Sequence, residues 1–205
     1  MKKLFLAACA SLLMLSAFGA SAATFTAGKD YTVIANPSPA PKGKMVVREF
    51  FWYGCPHCFR LEPHLQTWLK NIPKDVTFIR TPAAMNPVWE ANARGYFVSE
   101  ALGIRRKAHI TLFHTIHDQQ QQIFDQASQA KFYARYGVSP VKFNSMFISF
   151  PITAKVAESN KLAQQYQLTG VPAVGVNGKY VIQGEDGKVI QVLNYLLDQE
   201  RKAKK

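Results

Sequence analysis

The stretch MVVREFFWYGCPHC, residues 45–58, limits what this chain can fold into. From Met45 to Tyr53 it is nearly all apolar and rich in β-branched and aromatic side chains, the pattern of a central strand covered on both faces. Such a strand needs a layer of structure on each side, which places the chain in the α/β class. Arg48 and Glu49 interrupt the run, and if both faces are covered one of the two must be largely buried. The competing reading leaves Glu49 as an exposed carboxylate at the strand end.

A helix is expected from Cys55. Pro56 suits the first helical position, where no amide hydrogen is needed, and Leu61, Leu65, Trp68, Leu69 and Ile72 recur at helical spacing. Pro63 lies inside that pattern and predicts a kink. VTFIR, Val76 to Arg80, alternates as a second strand, so strand, helix and strand compose a βαβ unit. Beyond it the texture changes: residues 84–154 read as three or four short helices punctuated by Gly103, Gly137 and Ser139-Pro140. A further helix, Ile152 to Gln167, leads to VPAVGVNGKYVI, two β-rich runs around the hairpin signal Asn177-Gly178. A last amphipathic helix covers Val189 to Asp198, and NPSPAPKGK (36–44) is an extended lead-in outside the core.

The first residues point to export. Met1-Lys2-Lys3 is a short positive start, an apolar run follows from Leu4 to Phe18, and Ala20-Ser21-Ala22 fits the small-x-small pattern of a cleavage site. Residues 1–22 are therefore read as a signal peptide, cut after Ala22 or Ala23. Leu6-Ala7-Ala8-Cys9 resembles a lipoprotein box, but the apolar run continues past Cys9 where such a box closes it, so Cys9 leaves with the leader. No second apolar run is long enough to span a membrane. The net charge of +12, or +10 without Lys2 and Lys3, comes without a recognised nucleic-acid motif. A solvated basic surface with a basic tail, Arg201 to Lys205, accounts for it.

Cys55 and Cys58 remain. A bridge between residues three apart closes too small a loop to restrain the unfolded chain much, which weakens a purely structural role. A zinc site needs about four ligands, and no second cysteine pair exists; His57 and His64 have no zinc spacing. Of His109, His114 and His117 on one expected helix, only His114 and His117 are read as sharing a face, and all three as surface or hydrogen-bonded histidines. Redox chemistry explains more. Cys55 at a helix N-terminus meets unpaired amides and the positive end of the dipole, which favour a thiolate. Cys58, a turn further in, is the resolving thiol, with His57 beside it. Stabilising the thiolate stabilises the reduced form, by about 30 mV per pKa unit, and makes the disulfide an oxidant. Glu49, if buried below the pair, could exchange a proton with Cys58.

Cys55-Pro56-His57-Cys58 after an apolar strand, together with Val171-Pro172 before a hairpin, resembles the DsbA family of thiol:disulfide oxidoreductases. The resemblance runs from Tyr31 to the last helix. It implies a thioredoxin fold with an inserted helical domain: 23–83 and 155–205 thioredoxin-like, 84–154 inserted. It implies Cys55 as nucleophile, Cys58 as buried partner, and Pro56, His57 and Glu49 in support, with Glu62 and Arg80 as nearby tuning charges. It also implies a cis Pro172 that exposes Val171 for pairing with an extended substrate. No metal and no cofactor are called for. The implied partners are reduced unfolded exported proteins and a DsbB-like membrane quinone reductase, for a periplasmic monomer. An isomerase or reductase of the same fold, or a non-catalytic chain-binding or metal-carrying module, are the alternatives.

Overall fold

The computed structural model describes residues 24–35, 37 and 43–203. The expected signal peptide, Cys9 and most of the Pro-rich lead-in lie outside the described residues. Five strands form one mixed sheet in the order β1-β5-β4-β2-β3. They are β1 (Thr32–Val33), β2 (Met45–Phe51), β3 (Val76–Pro82), β4 (Ala173–Val176) and β5 (Tyr180–Gln183). β2 lies parallel to β3 and antiparallel to β4, β4 is antiparallel to β5, and β1 pairs with β5 at the edge.

β2 is central, as its apolarity requires. Met45 and Val47 pack on one face with Leu61, Leu65 and Trp68 of α1 (Pro56–Leu69) and Leu193 and Leu197 of α7 (Gly187–Ala203). Phe50 points the other way, against Tyr166 at the end of α6 (Phe150–Gln165), with ring centroids 4.9 Å apart. Burying such a side chain contributes roughly 1.5–3 kcal/mol. Of the adjacent charges it is Glu49 that is sealed, at 0% exposure. Arg48 stays half-buried on the opposite face and donates to Thr81 Oγ1 at 2.6 Å.

α1 joins β2 to the parallel strand β3, giving the expected βαβ unit, and it runs through Pro63 as one helix. Pro63 sits on its exposed side, so the lost backbone bond is solvated and the buried stripe is untouched. Between β3 and β4 come α2 (Pro87–Ala101), α3 (Arg105–His117), α4 (Gln126–Ala134), α5 (Pro140–Phe147) and α6. Local signals start several of them: Asn86 and Ser139 cap α2 and α5, and Asp125 with Ser128 makes a capping box on α4. Their shared interior is aromatic, with Tyr96, Phe113, Phe132, Tyr133 and Phe143 all buried. The expected boundary at 154/155 falls within α6, which continues across it.

The β4–β5 hairpin turns at Asn177-Gly178, both with positive φ (54° and 72°). Asn177 also ties the hairpin inward, its N–H donating to Val46 O at 2.7 Å and its Nδ2 to Glu200 at 2.6 Å. β1 is an addition that no sequence pattern announced, and α7 extends beyond the expected Val189–Asp198 at both ends.

Gly175 in β4 lets the Tyr166 ring close over the sheet, because a Cβ there would lie 2.1 Å from Tyr166 Cε1. Gly175→Ala must displace that ring from Phe50. It is expected to destabilise the protein by about 1–3 kcal/mol, read as a lower urea midpoint; an unchanged midpoint would show that the ring is free to move.

Candidate active site

The chain leaves β2 at Phe51 and turns through Trp52, Tyr53 and Gly54 onto α1. The ring of Trp52 folds over Gly54, where a Cβ would fall 2.2 Å from Trp52 Cζ2, so the turn needs a glycine. Cys55 is the N-cap residue of α1, with extended backbone at φ −85°, and no side chain caps that end. The first amides of the helix are thereby left to the sulfur. Pro56, next in line, gives up no hydrogen bond at that position.

The two sulfurs meet different surroundings. Cys58 is 0% exposed and Cys55 6%, and both are free thiols. A hydrogen bond from the Cys58 thiol does most to lower the Cys55 pKa to about 6. Burial opposes it, while the amides of Cys58 and His57 and the His57 charge assist. Burial first, then the bond and the charge at Cys55, push Cys58 well above the ordinary thiol range.

Across from Cys55 lies the loop before β4. The Val171–Pro172 peptide bond is cis, and the Cys55 thiol donates to Val171 O at 3.4 Å. A groove of about 240 Å³ opens beside it, walled by His57, Val171, Pro172 and the Gly184–Glu185 segment after β5. His57 Nδ1 contacts the Glu185 carboxylate, and Arg60 Nη2 donates to the same oxygen at 2.7 Å. Arg60 foremost, and His57 next, hold the Glu185 carboxyl below its usual range.

Under the sulfurs is a buried charge cluster. Arg80 Nε of β3 lies 2.9 Å from Glu49 Oε2, though out of line for a hydrogen bond, and Arg80 Nη2 donates to Glu62 Oε1 of α1 at 2.5 Å. Gln66 Nε2 donates to that same oxygen at 2.5 Å. One guanidinium faces two carboxyls. Burial pushes Glu49 up to about 8, against the pull of Arg80. Burial also works to raise Glu62, but His109, Arg80 and Gln66 outweigh it and keep that carboxyl below its ordinary range. Glu49 therefore holds a proton near neutral pH, and an ionised Glu49 would push Cys58 still higher.

The structure thus brings Cys55, Cys58, Pro56, His57, Val171 and Pro172 together, with Cys55, Cys58 and Pro172 buried, and Glu49, Glu62 and Arg80 in the cluster beneath. Other participants were not anticipated. Glu185 joins His57 from 128 residues away, and no local pattern could announce it. Arg60 was readable, since it stands one helical turn from His57. His114 and His117 share a face as expected, both packing on Phe59 with ring centroids 5.2 and 4.8 Å away, and His109 and His117 both address Tyr53. His109 Nδ1 lies 2.8 Å from Tyr53 OH, and His117 Nε2 donates to Tyr53 O at 2.8 Å. His114 turns instead to Asp118 at 2.6 Å. Eight residues also return to the same side of a helix, a spacing that the i, i+3 comparison overlooked. Among the described residues no three His, Cys, Asp or Glu side chains are grouped to hold a metal ion.

Comparison with known proteins places this geometry. Residues 79–192 match the family described as DSBA-like thioredoxin domain. The thiol:disulfide interchange protein DsbA of Pseudomonas aeruginosa is 36% identical over 100% of both chains. That of Pseudomonas syringae pv. tomato is 37% identical over 96% of this chain and 95% of its own. The chain belongs to the DSBA-like thioredoxin family. Among solved structures, Pseudomonas aeruginosa DsbA superposes with a TM-score of 0.81 at 36% identity, covering 87% of this chain and 96% of that one. The oxidoreductase DsbA from Xylella fastidiosa gives 0.81 at 33%, covering 86% and 98%. The thioredoxin fold interrupted by helices, expected above, is the fold of this DSBA-like chain.

In the reduced protein, thiolate absorbance is expected to rise with a single apparent pKa near 6 and to stay level until strongly alkaline pH. A folded-state pKa below the unfolded value adds stability that is present above about 9 and is lost as pH falls through about 6. A thiol titrating near 9 would remove the basis for an activated Cys55.

Proposed function

We propose that this protein is a periplasmic thiol:disulfide oxidase that passes its Cys55–Cys58 disulfide to reduced, unfolded exported proteins. The observation that carries the reading is the asymmetry of the sulfur pair: Cys55 near 6 and bordering a groove, Cys58 sealed and held well above the thiol range. A substrate thiolate attacks Cys55 Sγ, the S–S bond breaks, and Cys58 leaves as a thiolate that takes a proton, with Glu49 placed to supply it. A second substrate thiolate then attacks the substrate sulfur of the mixed disulfide and expels Cys55 as its stabilised thiolate. The substrate gives up two electrons and gains a disulfide, and the protein holds the electrons as a dithiol. A DsbB-like membrane quinone reductase is the proposed acceptor that restores the disulfide.

The remaining roles follow from position. Val171, with the cis Pro172, offers its backbone to an extended substrate in the manner of an added strand, and Pro56 and His57 shape the nucleophile's turn. Residues 23–83 and 155–205 supply the thioredoxin-like part, and 84–154 the inserted helical domain. The relatives named as DsbA support the oxidase reading over an isomerase, and the apolar, Ala-ending leader supports export.

The test is oxidation of a reduced, unfolded protein by the purified disulfide form. Cys55→Ser is expected to abolish turnover, and Cys58→Ser, first charged at Cys55 as its mixed disulfide with glutathione, to release glutathione thiol to a single-cysteine substrate and hold that substrate in a mixed disulfide that alkylation and mass measurement detect. Full activity in Cys55→Ser would move the reading to a chain-binding module. Equilibration with glutathione separates oxidase from reductase: the oxidase reading requires a potential well above that of thioredoxin.

A further inference from the structure

His109 belongs to α3, a helix of the segment between β3 and β4, yet it reaches the charge cluster under the sulfurs. It is 3% exposed, and burial lowers its pKa to about 4, so its ring is neutral at working pH. The ring is wedged edge-on among Phe51, Tyr53, Tyr96 and Phe113, with centroid separations of 5.2, 5.3, 6.3 and 5.3 Å. A neutral imidazole so held has one donor and one acceptor nitrogen, and its neighbours choose which. Nε2 faces Glu62 Oε2 at 3.6 Å, and neither atom has a hydrogen-bond partner. A lone pair there would oppose the carboxylate. The hydrogen therefore sits on Nε2, and Nδ1 accepts from Tyr53 OH at 2.8 Å.

We propose that His109 is a positioning residue of the redox centre, which aims an N–H at Glu62 and so fixes Glu62 as the ionised partner of Arg80, leaving the exchangeable proton on Glu49 beneath Cys58. Arg80 already leans toward Glu62, donating to it at 2.5 Å while standing 2.9 Å from Glu49 without a hydrogen bond, and His109 adds to that preference from the far side of Glu62. Gln66 donates to Glu62 Oε1 and His109 Nε2 faces Glu62 Oε2 from 3.6 Å, longer than a hydrogen bond, whereas Glu49 has no hydrogen-bond partner on either oxygen. The charged and titratable groups around His109 are Glu49 from β2, Tyr53 from the turn, Glu62 from α1, Arg80 from β3, Tyr96 from α2 and Arg105 on its own helix. Of these, the two carboxyls can exchange roles across Arg80. Without the Nε2 hydrogen, part of the negative charge moves from Glu62 to Glu49, and that charge bears on Cys58 and through it on Cys55. The proposal rests on Cys55 and Cys58 being the working pair.

The experiment titrates full-length protein labelled with ¹³C at the glutamate carboxyls, alongside thiolate absorbance, in four forms. In the wild type Glu49 is expected near 8. In His109→Leu, which donates nothing, and His109→Asn, which reaches only toward Tyr53, the Glu49 pKa is expected to fall by about one unit. In the same two variants Cys55 is expected to rise by about half a unit, roughly a twofold loss of thiolate at its wild-type midpoint. His109→Gln, whose amide nitrogen takes the place of Nε2, is expected to restore both values. Wild-type titrations in the Leu and Asn variants, with only thermal stability reduced, would make His109 a packing residue and overturn the proposal; so would a Gln variant shifted as far as Leu. If the Leu and Asn variants do not fold, Tyr53→Phe serves: releasing Nδ1 is expected to lower Glu49 in the same direction, and an unmoved Glu49 overturns the proposal. A failure of the oxidase reading appears differently, as a wild type that oxidises no substrate.

Discussion

A sulfur anion at Cys55, held by the thiol of Cys58 and the first amides of α1, is the interaction that orders everything around it. Its geometry requires a helix that begins at the nucleophile, so Cys55 stands at the cap and Pro56 at the first helical position. It requires a turn tight enough to aim that helix, which Gly54 allows under the ring of Trp52. It also requires the partner sulfur to be out of water, which packing of α1 against β2 and the aromatic core accomplishes. A thiolate at the N-terminus of an exposed helix would enjoy the same amides but would leave both sulfurs open to attack. The sealed Cys58 confines incoming thiolates to Cys55.

Sealing Cys58 creates a problem of protons. A thiolate leaving into an apolar environment is costly, and the only relief is a group close by that can give up a proton. Glu49, proposed above for that place, can serve there only while it stays neutral. The cluster beneath the sulfurs meets the condition by arithmetic of charge: Arg80 balances Glu62, and a second buried carboxylate would go unmatched. The helices between β3 and β4 therefore contribute more than a roof, since His109 bears on which carboxyl is matched. The same α3 donates from His117 to Tyr53 O and stacks that ring on Phe59 at 4.8 Å, gripping both sides of the turn that carries Cys55.

Much of this was legible before any coordinates. The strand at 45–51 announced itself because burial on both faces leaves no polar alternation, and Pro56 and Asn177-Gly178 are local signals whose backbone demands few other residues meet. Burial of one charge from the Arg48–Glu49 pair followed from the same strand; that it was Glu49 depended on Arg80, a partner in another strand. The short edge strand β1 left no trace, since two residues carry no period and their pairing is supplied by β5. Sequence records the missing amide of Pro63 but not that it falls on the exposed side of α1. The sequence reading traced the acidity of Cys55 to the helix terminus; the larger contribution, a bond from Cys58, exists only once the first turn has formed.

Two sets of charges surround the sulfurs, and they differ in what can disturb them. His57, Arg60 and Glu185 lie at the groove mouth with side chains 58%, 51% and 38% exposed, within reach of ions that screen over about 10 Å at 0.1 M salt. Glu49, Glu62 and Arg80 are at most 7% exposed and sit beyond that influence. The buried set therefore feels added salt little, and through Glu49 it adds a smaller contribution to the raised pKa of Cys58. In the exposed set, Glu185 and Arg60 pair with each other and with His57 at the protein surface. Burial thus separates the charges beneath Cys58 from those that solvent and ions can reach.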